Sequence, residues 1–237
     1  MMKTILFYCV LFFSNFLFGQ SNWCDSVSVG FLLGQTNYEK DARFIQVSSS
    51  RSTKICYLLK EVNSAFEEMA SAAKKEGLNL KVVSGGRNFN MQKAIWERKW
   101  NARRSNFKSD KETALDILKF SSMPGTSRHH WGTDLDINSV DPAYFSSGNG
   151  KLEYEWLKKN AASYGFCQTY DNKAESKRTG YSEEKWHYTY MPISHKLLKQ
   201  YNEKITNDLI IGFLGSSTAK EIDVVKFYVN GISPLCD

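Results

Sequence analysis

Ser127-Arg128-His129-His130-Trp131-Gly132-Thr133-Asp134-Leu135-Asp136 is the stretch whose reading decides the fold, and Glu184-Lys185-Trp186-His187 completes it. The chain of 237 residues has four histidines, and three of them fall in these two strings. Together the strings offer imidazoles, a carboxylate at a fixed offset, and a second carboxylate three residues before a histidine. That inventory suits a catalytic zinc site: three protein ligands, one open position for water, and a base that activates the water.

His129 and Asp136 are seven residues apart, too far for one helical turn to present both. Gly132 lets the loop bend so that a strand brings Asp136 back toward His129. His187 lies 51 residues beyond Asp136 and is expected on a neighbouring strand. On a regular strand Glu184 and His187 would point to opposite faces. A turn is therefore expected between them, and alternation puts Asp134 and Asp136 on one face.

Outward from the strings, Lys3 and the apolar run Ile5 to Phe18, followed by Gly19-Gln20-Ser21, read as a secretory signal over residues 1–20. The run is short for a membrane span, so no stable membrane insertion is expected once the signal is removed, and the expected address is the periplasm or the medium. Loss of that segment lowers the formal charge from +6 to +5, because it holds one lysine and no acid. The apolar fraction of 42 %, with 14 % aromatic residues, supports a real core and argues against disorder. The roughly 215 residues that follow the signal suit one domain. Cys24, Cys56, Cys167 and Cys236 are even in number and suggest two disulfides in an exported chain. A Cys24–Cys236 bridge would tie the two termini, and the absence of any Cys-x-x-Cys spacing argues against a cysteine zinc site.

No repeat or low-complexity linker interrupts the chain. Helical spacing is read over 53–75 (Ile55, Leu58, Leu59, Val62, Phe66, Met69, Ala73), closed by Gly77. A strand follows over 78–83 and ends in the turn Ser84-Gly85-Gly86-Arg87. The basic amphipathic stretch 91–104, with Lys93, Arg98, Lys99, Arg103 and Arg104, reads as a solvated helix face in preference to a nucleic-acid patch. Further helices are read at 110–120, 151–164, 194–206 and 217–229, and strands at 135–140 and 188–190. The fold class is α+β: a small, mainly antiparallel sheet with flanking helices. The expected segments are residues 21–44 as an N-terminal segment, 45–195 as the catalytic domain and 196–237 as a C-terminal helical appendage.

Ser127-x-His129-x-x-Gly132-x-x-x-Asp136 followed by Glu184-x-Trp186-His187 resembles the VanY-type D-alanyl-D-alanine carboxypeptidases and their endopeptidase relatives, zinc peptidases of peptidoglycan. Ser84-Gly85-Gly86-Arg87 with Gln92 resembles the family's Ser-Gly-x-Arg element, and the likeness spans about residues 45–195. The resemblance implies a hedgehog/D-Ala-D-Ala peptidase-like fold and a single zinc ion held by His129, Asp136 and His187. It makes Glu184 the base that takes a proton from the water and returns it to the leaving amine. It gives Arg87 a carboxylate or the developing charge to clamp, Ser127 and Gln92 hydrogen bonds to the same end of the substrate, and Trp186 an apolar wall. Asp134 stands where the family usually has Ala, so it departs from the pattern and is a candidate to hold a ligand from behind. His130 reads as structural, Trp131 as core and His195 as a surface residue.

The expected function is that of an exported zinc carboxypeptidase, a monomer, that removes the terminal D-alanine of peptidoglycan stem peptides. The alternatives are an endopeptidase of the same family and, from another class, a wall-binding zinc module without turnover. The secretory signal argues against a nucleic-acid partner.

Overall fold

Val62, Phe66, Met69, Ala70 and Ala73 recur three to four residues apart and wind Lys60–Lys75 into a helix that buries this stripe. Gly77 closes it with a Schellman pair, its N–H bonding to the Lys74 carbonyl and that of Leu78 to the Ala73 carbonyl, each at 3.0 Å. The computed structural model describes residues 22–236, and the expected signal over residues 1–20 lies outside them. In chain order the elements are α1 (Val29–Leu32), β1 (Phe44–Gln46), β2 (Tyr57–Leu59), α2 (Lys60–Lys75), β3 (Val82–Ser84), α3 (Phe89–Arg103) and α4 (Asp110–Ile117). They continue with β4 (Asp134–Ile137), α5 (Gly148–Asn160), β5 (Phe166–Gln168), α6 (Lys173–Ser176), β6 (His187–Tyr190), α7 (Met191–Lys204) and α8 (Thr218–Ile222).

The expected helix over 53–75 begins only at Lys60. Tyr57–Leu59 pairs with Phe44–Gln46 as an antiparallel strand, which overrides the helical spacing, and Ile55 is left exposed. The main sheet has four strands in the order β3-β4-β6-β5, all antiparallel, with helices around it, in agreement with the α+β class. One hydrophobic core runs from Phe31 and Leu32 of α1 through α2, β4 and β6 to the carboxy-terminal residues. Leu197, Leu198, Tyr201, Ile222 and Val229, from the segment read as a helical appendage, belong to that same core. The long helix expected at 217–229 is broken after α8, where Asp223 adopts a positive φ of 55° and a π-helical turn, Val225–Val229, follows. Among the described residues no helix is long and apolar enough to cross a membrane.

The expected Cys24–Cys236 bridge is not formed: Cys236 is bonded to Cys167. The last turn, Pro234–Cys236, returns against β5, where Ser233 N–H bonds to the Thr169 carbonyl at 2.8 Å, and this brings Cys236 beside the strand that carries Cys167. Cys56 is a buried thiol 3.2 Å from Ser52 Oγ, with its pKa pushed up by burial.

Candidate metal centre and active site

The register of the main sheet assembles the site. Asp136 on β4 stands opposite His187 on β6 and, across β3, opposite Ser84. The turn that follows Ser84 then reaches the His129 loop: the Arg87 N–H bonds to the His129 carbonyl at 3.1 Å, and the Gly85 carbonyl lies 2.8 Å from His129 Nδ1. Gly85 suits this close passage, because a Cβ there would lie 2.8 Å from the Tyr57 carbonyl oxygen. At the end of the His129 loop Gly132 turns the chain into β4 with φ of 70°, and a Cβ there would meet Phe44 at 2.3 Å.

His129, Asp136 and His187 are buried, and one ligand atom of each lies within 4.8 Å of the others. His129 Nδ1 faces a carbonyl and must donate to it, so Nε2 carries the lone pair. That Nε2 and Asp136 Oδ1 are buried without hydrogen-bond partners, 3.4 Å apart. His187 presents Nδ1 to the same Oδ1 at 3.3 Å. Two imidazole nitrogens and one carboxylate oxygen are a donor set that fits a divalent metal of the zinc type. Burial and the Arg87 charge push the His129 pKa down, which keeps its imidazole neutral.

Behind His187 stands Asp134, fully buried. Its Oδ2 is 2.9 Å from His187 Nε2 and accepts from Arg128 Nε at 3.0 Å. Its Oδ1 accepts from Thr133 and Thr189 hydroxyls at 2.8 and 2.7 Å. Burial opposes ionisation of this carboxyl, but Arg128 and His187 outweigh it and hold the pKa well below the usual carboxylate range. Every acceptor of Asp134 is thus engaged, and His187 is fixed with Nδ1 toward Asp136.

Glu184 and His187 do share a side. The expected turn is present, with His187 N–H 3.3 Å from the Glu184 carbonyl, and Glu184 Oε2 lies 3.2 Å from His187 Nδ1. Burial pushes the Glu184 pKa up despite the neighbouring imidazole, as suits a carboxylate that accepts a proton.

A cavity of about 740 Å³ opens over these groups, lined also by Arg87, Ser127 and Trp186. Arg87 is half-buried, and its Nε and the Ser127 hydroxyl have no hydrogen-bond partner. Trp186 is buried and stacks on Phe145, with ring centroids 6.2 Å apart. Gln92 does not line the cavity; its side-chain amide donates to the Ser122 carbonyl at 2.7 Å from beneath the wall. His130 is buried away from the metal cluster. Its Nε2 accepts from the Gly125 N–H at 2.9 Å and Nδ1 donates to the Arg87 carbonyl at 2.6 Å, and burial pushes its pKa down to about 3. His195 is held by the Cys236 carbonyl at 2.7 Å, and Trp131 lies in the core. Tyr170, which packs on His187 with ring centroids 4.6 Å apart, carried no signal in the sequence, nor did Arg128, and Thr189 carried only a weak one. The period-two alternation of β6 places Thr189 on the His187 face and was the one available pointer to it.

Residues 56–193, more than half of the chain, match the profile of the family described as VanY: D-alanyl-D-alanine carboxypeptidase. The Bacillus subtilis (strain 168) protein YodJ is 33 % identical over 141 residues, covering 57 % of this chain and 46 % of that protein. A D-alanyl-D-alanine carboxypeptidase of Enterococcus faecalis (strain ATCC 700802 / V583) is 30 % identical over 133 residues, covering 56 % and 47 %. The chain therefore spans about half the length of the curated relatives it matches. Of solved structures, VanYB in complex with D-alanine-D-alanine superposes with a TM-score of 0.52 at 24 % identity, over 71 % of this chain and 93 % of that one. A mutant VanY D,D-pentapeptidase in complex with Zn(II) gives the same score and identity, over 71 % and 88 %. The LdcB LD-carboxypeptidase gives 0.51 at 22 %, over 83 % and 78 %. These structures share the fold. The matched span holds all four strands of the main sheet and the whole His129, Asp136 and His187 cluster, and the chain belongs to the VanY D-alanyl-D-alanine carboxypeptidase family.

Proposed function

We propose that this protein is an exported, zinc-dependent carboxypeptidase that hydrolyses the terminal D-alanine from peptidoglycan stem peptides. The observation that carries the reading is the convergence of His129 Nε2, Asp136 Oδ1 and His187 Nδ1 beside the buried Glu184, inside a cavity walled by Arg87 and Ser127. His129, Asp136 and His187 would hold the zinc, whose chemistry when bound is Lewis acidity toward a water and a peptide carbonyl. Glu184 takes the proton of the attacking water and delivers it to the leaving amine. Arg87 offers a guanidinium whose Nε has no partner in the protein, and Ser127 a hydroxyl in the same state. Both suit the terminal carboxylate of a peptide. Trp186 closes one side with an apolar wall. The relative from Enterococcus faecalis and the D-alanine-D-alanine complex of VanYB support the substrate class, and the signal read over residues 1–20 supports export.

A second cavity of about 870 Å³ adjoins the first and shares Lys54, Ser84, Arg87 and Ile95 with it. Room beyond Arg87 favours, as a second reading, cleavage of an internal bond of the stem or cross-bridge. Mass spectrometry separates the two. A carboxypeptidase releases free D-alanine from a defined pentapeptide and leaves the cross-linking of whole sacculi unchanged. An endopeptidase lowers cross-linking, and release of neither product refutes both.

A further inference from the structure

Helix α3 and the turn after it bear the basic stretch that reads from sequence as a solvated face, and the fold sorts its five cations into two groups. Lys93 is 3.7 Å from Glu97, Arg103 is 2.7 Å from Asp116, and Arg104 pairs with Asp110. Arg98 and Lys99 have no carboxylate within 4.0 Å among the described residues. With Ile95 they stand at i, i+3 and i+4, one helix face, and that face lines the active-site cavity. Lys54 and Arg87 join them on the wall, and they too have no carboxylate partner within that distance among the described residues.

The side chain of Lys99 is partly buried, its Nζ donates to Ser121 Oγ, and burial with the neighbouring Arg103, Arg87 and Arg98 charges pushes its pKa down. The acids of the cavity, Asp136 and Glu184, are committed to the metal cluster and its proton. Arg87 and Lys99 are half-buried on this wall and Arg98 and Lys54 are exposed at its rim, and four like charges around one cavity favour an anionic ligand. One carboxylate meets Arg87 under the function proposed above. Arg87 stands two residues before α3 begins and Arg98 and Lys99 lie within that helix, so the same cavity offers cations besides the one at Arg87.

We propose that Arg98 and Lys99, with Lys54 at the rim, form a subsite for a second carboxylate of the substrate peptide, distinct from its C-terminal one. The inference rests on the carboxypeptidase reading and narrows its substrates to stems that carry a free carboxylate upstream of the scissile bond. Two sources have this chemistry: the side-chain carboxylate of a diamino diacid and the α-carboxylate of a γ-linked glutamate. The test compares the zinc-loaded protein on three synthetic pentapeptides ending in D-Ala-D-Ala: one with both carboxylates free, one amidated at the diamino diacid, one amidated at the glutamate. One amidation is expected to lower kcat/KM by at least about tenfold, through KM, the loss of a charge-assisted hydrogen bond. That arm identifies the source. Arg98→Gln with Lys99→Gln should bring the acid-to-amide ratio toward unity, and Lys99→Arg should keep it. Equal kcat/KM for all three peptides, or an undiminished ratio in the double variant, overturns the subsite. If no peptide is cleaved, the carboxypeptidase reading itself fails, and calorimetry of the same peptides on Glu184→Gln protein decides the subsite: tighter binding of the acid supports it, and equal or undetectable binding overturns it.

Discussion

His187 Nε2 lies 2.9 Å from Asp134 Oδ2, so the imidazole that faces the metal cluster is fixed from behind by a buried carboxylate whose other partners are Arg128, Thr133 and Thr189. A carboxylate in this position orients a ligating histidine and strengthens it as a donor. Asp134→Asn should lower zinc affinity by about 10–100-fold in competition with a chromogenic chelator. It also leaves the buried Arg128 guanidinium without its counter-ion, a loss of about 3–5 kcal/mol in denaturant unfolding. Replacing Arg128 by Met together with Asp134→Ala should recover much of that stability and none of the affinity. Full zinc affinity in the double variant would show that Asp134 does not act through His187.

Gly132 joins the His129 loop to β4 at φ of 70°, with Phe44 against its Cα. Gly132→Ala combines a left-handed backbone with a Cβ driven into the Phe44 ring, and should cost about 2–5 kcal/mol. In a double variant with Phe44→Leu the two losses should be less than additive. Additive losses by chemical denaturation would remove the contact from the account.

The Cys167–Cys236 bond joins cysteines 69 positions apart in sequence and pins the last turn to β5. Its removal by Cys236→Ser should cost about 4 kcal/mol by the chain-entropy argument. Urea unfolding under oxidising and reducing conditions reads this directly: the midpoint of the parent protein should fall on reduction and that of the variant should not. Equal midpoints for the parent in both conditions would contradict the bond.

Much of the site was legible in the sequence because its parts are local. The alternation of Asp134 and Asp136, the bend at Gly132 and the turn between Glu184 and His187 follow from spacing alone, and each has its counterpart in the structure. What was not legible depends on distant neighbours. Tyr57–Leu59 leaves the helical pattern because β1 pairs with it. Cys236 finds Cys167 because the final turn folds back on the sheet edge. Gln92 carries the family spacing, yet α3 turns its amide to the Ser122 carbonyl below the cavity wall. The basic run on α3 divides into paired and unpaired cations only once Asp110 and Asp116 of α4 are in place.

The central claim is that Glu184 works as the base beside a zinc ion held by His129, Asp136 and His187. The direct measurement is D-alanine release from a defined pentapeptide, with the metal content of the same samples. The account predicts release that is abolished by a chelator, restored by zinc, and reduced by on the order of 10²–10⁴ in Glu184→Gln protein that still binds one zinc ion. Unchanged release by Glu184→Gln, or full release by protein stripped of metal, would contradict it.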